Sequence, residues 1–160
     1  MDIATLLSTD RVIFTNEVSS TKRAFELLSE RLCHDIHISE LSVDTVFNAL
    51  VTREKLGSTA LGNGIAIPHA CTEIDIPRAA LLVLEEGLVM DTPDKKPVHM
   101  LLALLVPKTD SASYRPLISE ITSGINRRDL VQQLIQYQDA RLALNLLSSL
   151  FVTDMRDMAA

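Results

Sequence analysis

The sequence predicts an α/β fold in which a mixed β-sheet is flanked by helices within a single domain. At 160 residues the chain has the length of one compact domain. Two apolar runs, at residues 79–85 and 98–106, are continuous enough to be strands buried on both faces. Segments with helical apolar spacing lie before and after these runs, so helices at both ends of the chain would cover the sheet. We expect the domain to span residues 1–152 and residues 153–160 to fray.

Two helices are predicted in the N-terminal part of the chain. The first covers residues 20–33, where Ser20 can cap the start and apolar residues recur at helical spacing. The second follows Ser42, and Gly57 is placed to end it, which leaves Arg53 in its last turn. The apolar positions of this second helix fall at i, i+3, i+4, i+7 and i+8: Val43, Val46, Phe47, Leu50 and Val51.

Three strands and three helices are predicted after Gly57. The tight turn Gly62-Asn63-Gly64 leads into a strand at residues 64–68, and the two apolar runs supply the other strands. Beyond Pro107, apolar spacing predicts helices over residues 113–126, 128–137 and 139–151.

Composition excludes several classes of function. The net charge of −6 disfavours nucleic-acid binding. The longest apolar runs are far shorter than the roughly 20 residues of a membrane-spanning helix. The N-terminus has an early aspartate and no cationic head, so it is unlike a signal peptide, and we expect a cytoplasmic protein that is not embedded in a membrane. Two cysteines, Cys33 and Cys71, are too few for a disulfide framework, and we expect both to be reduced.

Most motifs that suggest ligand chemistry fail in detail. Gly57 and Gly62 have the outer spacing of a phosphate-binding Walker loop, but the required lysine is missing. The run from Cys33 through His34 to His37 favours a polar helix exit over a metal site, because partner ligands are lacking nearby in sequence. His99 is expected to be a satisfied residue at a sheet edge. The sequence therefore predicts neither a metal nor a cofactor.

His69 is the strongest candidate for chemistry. Pro68 cannot donate a ladder hydrogen bond, so strand pairing should stop there and the imidazole should emerge at an edge or end of the sheet. Strand ends are common ligand sites in α/β folds, and free imidazole offers a neutral nitrogen near pH 7. From position alone, a structural histidine remains the alternative.

An anion-binding group is predicted around His69. Arg53, the hydroxyls of Ser58 and Thr59 and the backbone amides at Asn63 and Gly64 would together suit a phosphoryl group. Alternatively, Arg53 is a cation that complements the C-terminus of its helix.

The segment "TREKLGSTALGNGIAIPHA", residues 52–70, resembles the active-site segment of the mannitol/fructose-type enzyme IIA domains of the bacterial phosphotransferase system. The likeness is greatest to their nitrogen-regulatory branch, and "KPVHMLLALLVP" at residues 96–107 resembles the next strand of that branch. The resemblance implies the mannitol-type IIA architecture. It also implies that His69 accepts a phosphoryl group from the phosphohistidine of HPr or a similar carrier, with Arg53 stabilising the transferred oxygens.

One departure from the family concerns a second active-site histidine, which family members usually carry near the start of the helix after "LLVP". Here that stretch reads "KTDSASYRPLISE", and no histidine follows His99. Arg115 or the hydroxyl of Tyr114 could supply a compensating donor.

Regulation is the function that the resemblance favours, because the chain shows neither a membrane-embedded IIC region nor a fused IIB domain. Phosphorylation of His69 would then control partners of the kinds that this branch regulates, sensor kinases and ion-transport regulators. A weak homodimer is a further expectation. Two alternatives remain: a sugar-specific IIA that passes phosphate to a IIB component, and an interaction module that works without phosphorylation.

Overall fold

The structure is a computed structural model that describes residues 3–34 and 41–151, and over these ranges it has the predicted α/β architecture. A six-stranded mixed sheet lies between two layers of helices. The helices are α1 (Thr21–Cys33), α2 (Val43–Leu56), α3 (Arg115–Ile125), α4 (Leu130–Tyr137) and α5 (Ala140–Ser149). The strands are β1 (Val12–Thr15), β2 (Ala60–Gly62), β3 (Ile65–Ala66), β4 (His69–Thr72), β5 (Arg78–Leu88) and β6 (Val98–Pro107).

The long strands β5 and β6 form the centre of the sheet as an antiparallel pair. On one side, β1 runs parallel to β5; on the other, β3 and β4 both run parallel to β6, and β2 pairs antiparallel with β3. Alternate residues of β5 enter different cores: Leu81 packs with residues of α3, α4 and α5, whereas Leu82 packs with residues of α1 and α2. The prediction of strands buried on both faces is thus confirmed.

The helix starts follow the predicted capping. The Ser20 hydroxyl accepts a hydrogen bond from the Arg23 amide, and the Ser42 hydroxyl accepts one from the Thr45 amide, both at 3.1 Å. Gly57 directly follows α2, but its φ of 161° is extended backbone, so it is not the left-handed cap that the sequence suggested.

The strand that leads to His69 corrects one expectation. The pairing with β6 is interrupted after Ala66, but it resumes at His69 instead of stopping at Pro68. Ala66 lies opposite Leu101 and His69 lies opposite Leu104, so both strands advance by three residues and the register is preserved. The reason is local: proline removes only its own N–H, while its carbonyl still accepts the Leu104 amide at 2.9 Å. His69 therefore begins β4.

Two more strands escaped prediction, β1 and β2, both of four residues or fewer. The turn between β2 and β3 does have the predicted character, since Gly62, Asn63 and Gly64 all have positive φ. The terminal segment 153–160, expected to fray, lies outside the described residues.

Candidate active site

The side chain of His69 is partly buried at the start of β4, and one of its ring nitrogens forms a hydrogen bond with the backbone. Nδ1 lies 2.8 Å from the carbonyl oxygen of Ile67. Because a carbonyl oxygen can only accept, Nδ1 carries the hydrogen of the neutral ring. In that tautomer Nε2 keeps its lone pair, so it is the nucleophilic nitrogen of this side chain.

His69 lies in a cleft of about 600 Å³ between α2 and the start of α3. The edge of β4 is available there because, among the described strands, β4 pairs with β6 alone. Helix α2, strand β4 and the segment around the start of α3 each contribute lining residues: Asn48, Ala49, Thr52, Arg53, Leu56, His69, Ala70, Cys71, Val106, Ser111, Arg115 and Ile118.

Arg53 combines the two roles that the sequence left open. It stands in the last turn of α2, and its Nη1 donates to the carbonyl oxygen of Gly57 at 2.8 Å, as expected of a cation that complements a helix C-terminus. Its side chain also lines the cleft with His69. The bond to Gly57 holds one arm of the guanidinium in place, and the remaining N–H groups are donors for an anion.

A second guanidinium, that of Arg115, also lines the cleft. Arg115 is the first residue of α3 and is exposed. Tyr114 is partly buried just before it and is not among the described residues that line the cleft. The described lining contains two arginines and no carboxylate, although the chain carries a net charge of −6. The cleft is therefore a local centre of positive potential that favours an anion.

Ser58 and Thr59 lie close to His69 in sequence but do not belong to the described lining of the cleft. The Ser58 hydroxyl donates to the carbonyl oxygen of Asp91 at 2.5 Å. The Thr59 hydroxyl and amide donate to the carboxylate of Glu54, at 2.6 Å and 3.0 Å. These donors are occupied by the protein itself, so the structure does not bring them to an anion at His69.

Asn63 and Gly64 line a separate cleft of about 390 Å³, together with His99 and seven other described residues. Asp94 is one of these lining residues, and one of its carboxylate oxygens accepts the Asn63 amide at 3.0 Å while the other accepts the Lys96 amide at 3.2 Å. The Asn63 bond, followed by the Lys96 bond, lowers the pKa of Asp94 below its ordinary value. The structure thus separates the Gly62–Gly64 turn from the cleft of His69.

His99 is satisfied, as expected, but it does not lie at a sheet edge. It sits in the central strand β6, and its Nδ1 donates to the carbonyl oxygen of Leu84 at 2.9 Å. Its side chain is partly buried against Gly87, where a β-carbon would come within 3.0 Å of Nε2. Glycine at position 87 therefore leaves the space that this imidazole occupies.

Cys33 is the last residue of α1 and His34 caps the helix, which agrees with the polar helix exit. Burial raises the pKa of the Cys33 thiol, an effect that the positive charge of Arg78 partly opposes. His37, the other histidine of that motif, lies outside the described residues. Across residues 3–34 and 41–151, no cluster of three or more histidine, cysteine, aspartate or glutamate side chains could hold a metal ion.

Sequence reasoning missed several residues of the cleft, among them Thr52, Cys71 and Ser111. Thr52 could have been found, because it lies with Asn48 and Leu56 at i, i+4 spacing on one face of α2. Cys71 could have been found by strand alternation once β4 was recognised, since it lies two residues after His69. Ser111 carries no such signal, because only the tertiary fold brings it to the cleft.

In the part of the chain that the structure covers, none of the helices combines the length and the apolar character needed to span a membrane.

The comparisons with known proteins agree with one another. A family model described as "Phosphoenolpyruvate-dependent sugar phosphotransferase system, EIIA 2" matches residues 5–150. A nitrogen regulatory protein of Klebsiella oxytoca is 38% identical over 117 residues, which cover 72% of this chain and 70% of that protein. The crystal structure of nitrogen regulatory protein IIA-Ntr from Neisseria meningitidis superposes with a TM-score of 0.80 at 31% identity, covering 91% of this chain and 98% of that one.

A more distant structure shares the fold. IIA mannitol from Escherichia coli superposes with a TM-score of 0.71 at 18% identity, covering 88% of this chain and 98% of that chain. The mannitol-type architecture expected from the sequence is confirmed.

Proposed function

The chain belongs to the EIIA 2 family of the phosphoenolpyruvate-dependent sugar phosphotransferase system, and we propose that His69 is its phosphoryl-accepting residue. The resemblance predicted from residues 52–107 is confirmed, since the nitrogen regulatory proteins are among its relatives. The chain is accordingly a regulatory component of this system. In the proposed reaction, a phosphoryl group passes to His69 from the phosphohistidine of an HPr-like carrier protein.

The observation that carries this proposal is the hydrogen bond from His69 Nδ1 to Ile67. It leaves the lone pair on Nε2, in a side chain that lines an open cleft. In the transfer, Nε2 forms a bond to phosphorus while the bond between phosphorus and the carrier nitrogen breaks. The electron pair of the broken bond stays on the carrier imidazole.

Arg53 and Arg115 are proposed to hold the phosphoryl oxygens during transfer. Phosphoryl transfer depends mainly on positioning and on neutralising the charge spread over the transferred oxygens. A guanidinium can donate two parallel hydrogen bonds to such a group. Of the two residues that could compensate for the missing second histidine, Arg115 lines the cleft and Tyr114 does not, so we assign the role to Arg115.

Regulation follows from the charge that the reaction adds. A phosphoryl group brings about −1.5 to −2 charges near neutral pH, so the two forms of the protein present different surfaces around His69. Sensor kinases and ion-transport regulators are the proposed classes of partner. If the chain were instead a sugar-specific IIA, a purified matching IIB would remove phosphate from His69 quickly; a stable phosphoprotein in the presence of each IIB tested would exclude that role.

The proposal is tested by mixing the protein with a radiolabelled phosphorylated carrier and measuring acid-labile label on the chain. We expect uptake by the wild type and none by His69→Ala. His99→Gln is the matched control, because the His99 ring is also hydrogen-bonded through Nδ1 to a carbonyl oxygen but lines the separate cleft of Asn63 and Gly64. The His99→Gln protein should take up label like the wild type. A wild type that takes up no label would favour an interaction module that works without phosphorylation. Label that persists in His69→Ala would place the acceptor elsewhere.

A further inference from the structure

At one end of the antiparallel pair β2–β3, which precedes His69, a backbone amide bonds to a side chain instead of to the opposite strand. Thr59 and Ile67 lie opposite each other, one step beyond the antiparallel pair formed by Ala60 and Ala66. The Ile67 amide donates to the Thr59 carbonyl oxygen at 3.1 Å. In an antiparallel ladder, residues that face each other through such a bond normally exchange two, so the Thr59 amide would donate back to Ile67. Here the Thr59 amide donates to Glu54 instead.

Glu54 holds Thr59 with both carboxylate oxygens. Oε1 accepts the Thr59 amide at 3.0 Å and Oε2 accepts the Thr59 hydroxyl at 2.6 Å. Thr59 is only 6% exposed, so these charge-assisted bonds are shielded from water on its side. Glu54 thereby fixes the direction of the Thr59 amide, away from the strand pair.

The carbonyl oxygen of Ile67 is thus left for another donor, and that donor is His69 Nδ1 at 2.8 Å. The intervening residue, Pro68, has no N–H of its own that could compete for this carbonyl. A carbonyl oxygen can accept from two donors, but a second donor would weaken its bond to His69. By holding the Thr59 amide, a side chain at the end of α2 therefore keeps a competing donor away from Ile67.

We propose that Glu54 is a positioning residue that sets the tautomer of His69. By drawing the Thr59 amide away, Glu54 keeps the Ile67 carbonyl available, and this carbonyl holds the hydrogen of His69 on Nδ1. Nε2 then remains the unprotonated, nucleophilic nitrogen. Glu54 itself is not among the described residues that line the His69 cleft, so it acts through Thr59 and Ile67. The expected effect of Glu54 on phosphoryl transfer rests on the proposed function of His69. Its expected effect on the tautomer of His69 does not depend on that function.

The experiment measures the tautomer directly on the full chain. Two-bond proton–nitrogen correlations of uniformly ¹⁵N-labelled protein distinguish an imidazole protonated on Nδ1 from one protonated on Nε2. We expect the neutral His69 of the wild type to be protonated on Nδ1. In Glu54→Ala the Thr59 amide is released to donate to Ile67, so the Nε2-protonated form should appear. Phosphoryl uptake should also slow about threefold to tenfold, the range expected for the loss of one hydrogen bond.

Two further variants separate positioning from general stability. Glu54→Gln keeps a carbonyl oxygen that can accept the Thr59 amide, so it should restore the wild-type tautomer. Thr59→Val removes the hydroxyl bond but keeps the amide bond to Glu54. It should lower the melting temperature without changing the tautomer of His69.

A Glu54→Ala protein in which His69 stays protonated on Nδ1 would overturn the inference. If that variant does not fold, Glu54→Met, which keeps the length of the side chain and a high helix propensity, is measured in its place and judged by the same criterion. A change of tautomer in Thr59→Val as large as in Glu54→Ala would also overturn it. A wild type that accepts no phosphoryl group would refute the proposed function of His69, whereas the tautomer measurement would still decide the role of Glu54.

Discussion

Replacing Arg53 by alanine is expected to slow phosphoryl uptake by His69 about 10²-fold. Removing one preorganised donor from a site of developing charge typically costs 10²–10³ in rate, and Arg53 qualifies because its bond to Gly57 already fixes one arm of the guanidinium. The lower end applies because a second guanidinium, that of Arg115, remains in the cleft. A 10²-fold loss corresponds to about 2.7 kcal/mol in the activation free energy.

The same substitution should change the stability of the fold much less. The bond from Arg53 to the Gly57 carbonyl is exposed and lies at a helix C-terminus, where such a cation contributes roughly 0.3–1 kcal/mol. For a chain of this length that corresponds to a fall in melting temperature of about 4 °C at most. A large loss of rate with a small loss of stability would therefore locate the effect in the cleft.

The assay is the rate of label transfer from the phosphorylated carrier at several carrier concentrations, by rapid quench. Arg53→Lys is the matched variant: it keeps the positive charge but lacks the planar fork, so its rate should fall between those of the wild type and Arg53→Ala. His69→Ala sets the background. An Arg53→Ala protein whose transfer rate is within about threefold of the wild-type rate would refute the reasoning, because loss of a preorganised donor typically slows the reaction by about 10² or more.

Two further predictions concern ionisable side chains outside the transfer step. Cys71 is exposed and lines the cleft, whereas burial raises the pKa of the Cys33 thiol, so iodoacetamide should label Cys71 first. Phosphoryl uptake should fall in proportion to the labelling of Cys71. Faster loss of the Cys33 thiol would contradict this prediction. The pKa of Asp94 is lowered because its carboxylate accepts the Asn63 and Lys96 amides, so the group stabilises the fold at neutral pH and this contribution disappears as pH falls through the lowered pKa. The melting temperature of the wild type should therefore exceed that of Asp94→Ala at pH 7 and approach it in acid, and a difference that grows in acid would be inconsistent with this sign.

The parts of the fold that the sequence predicted are those whose signals are local. The apolar runs of β5 and β6 are buried on both faces, and Ser20 and Ser42 cap their helices through bonds to residues three positions ahead. The short strands β1 and β2 gave no such signal, because three or four residues are too few for a clear apolar alternation. β1 is stabilised by pairing with the distant β5, and β2 pairs with β3 across a tight turn.

The candidate site was predictable for residues that belong to a recognisable motif, but the hydrogen-bond partners of their neighbours were not. His69 and Arg53 were identified from their motif, and the fold brings both to one cleft. Ser58 and Thr59 were expected there because they are near in sequence, but the carbonyl of Asp91 and the carboxylate of Glu54 occupy their hydroxyls. Proximity in sequence does not specify hydrogen-bond direction, which depends on the acceptors that the tertiary fold supplies.

The charge of the cleft limits what the proposed phosphorylation of His69 could signal. The described lining holds two arginines and no carboxylate, so the unphosphorylated cleft is positive within an acidic chain. A phosphoryl group of about −1.5 to −2 charges would roughly cancel these two cations rather than create a strongly negative patch. In the proposed switch, the cleft would change from positive to nearly neutral, so a partner of the unphosphorylated form is expected to present an acidic group to the cleft. Leu56, 82% exposed at the rim, offers such a partner an apolar contact that phosphorylation leaves unchanged. Discrimination between the two forms must then come from the electrostatic part of the interface, which increasing salt weakens selectively.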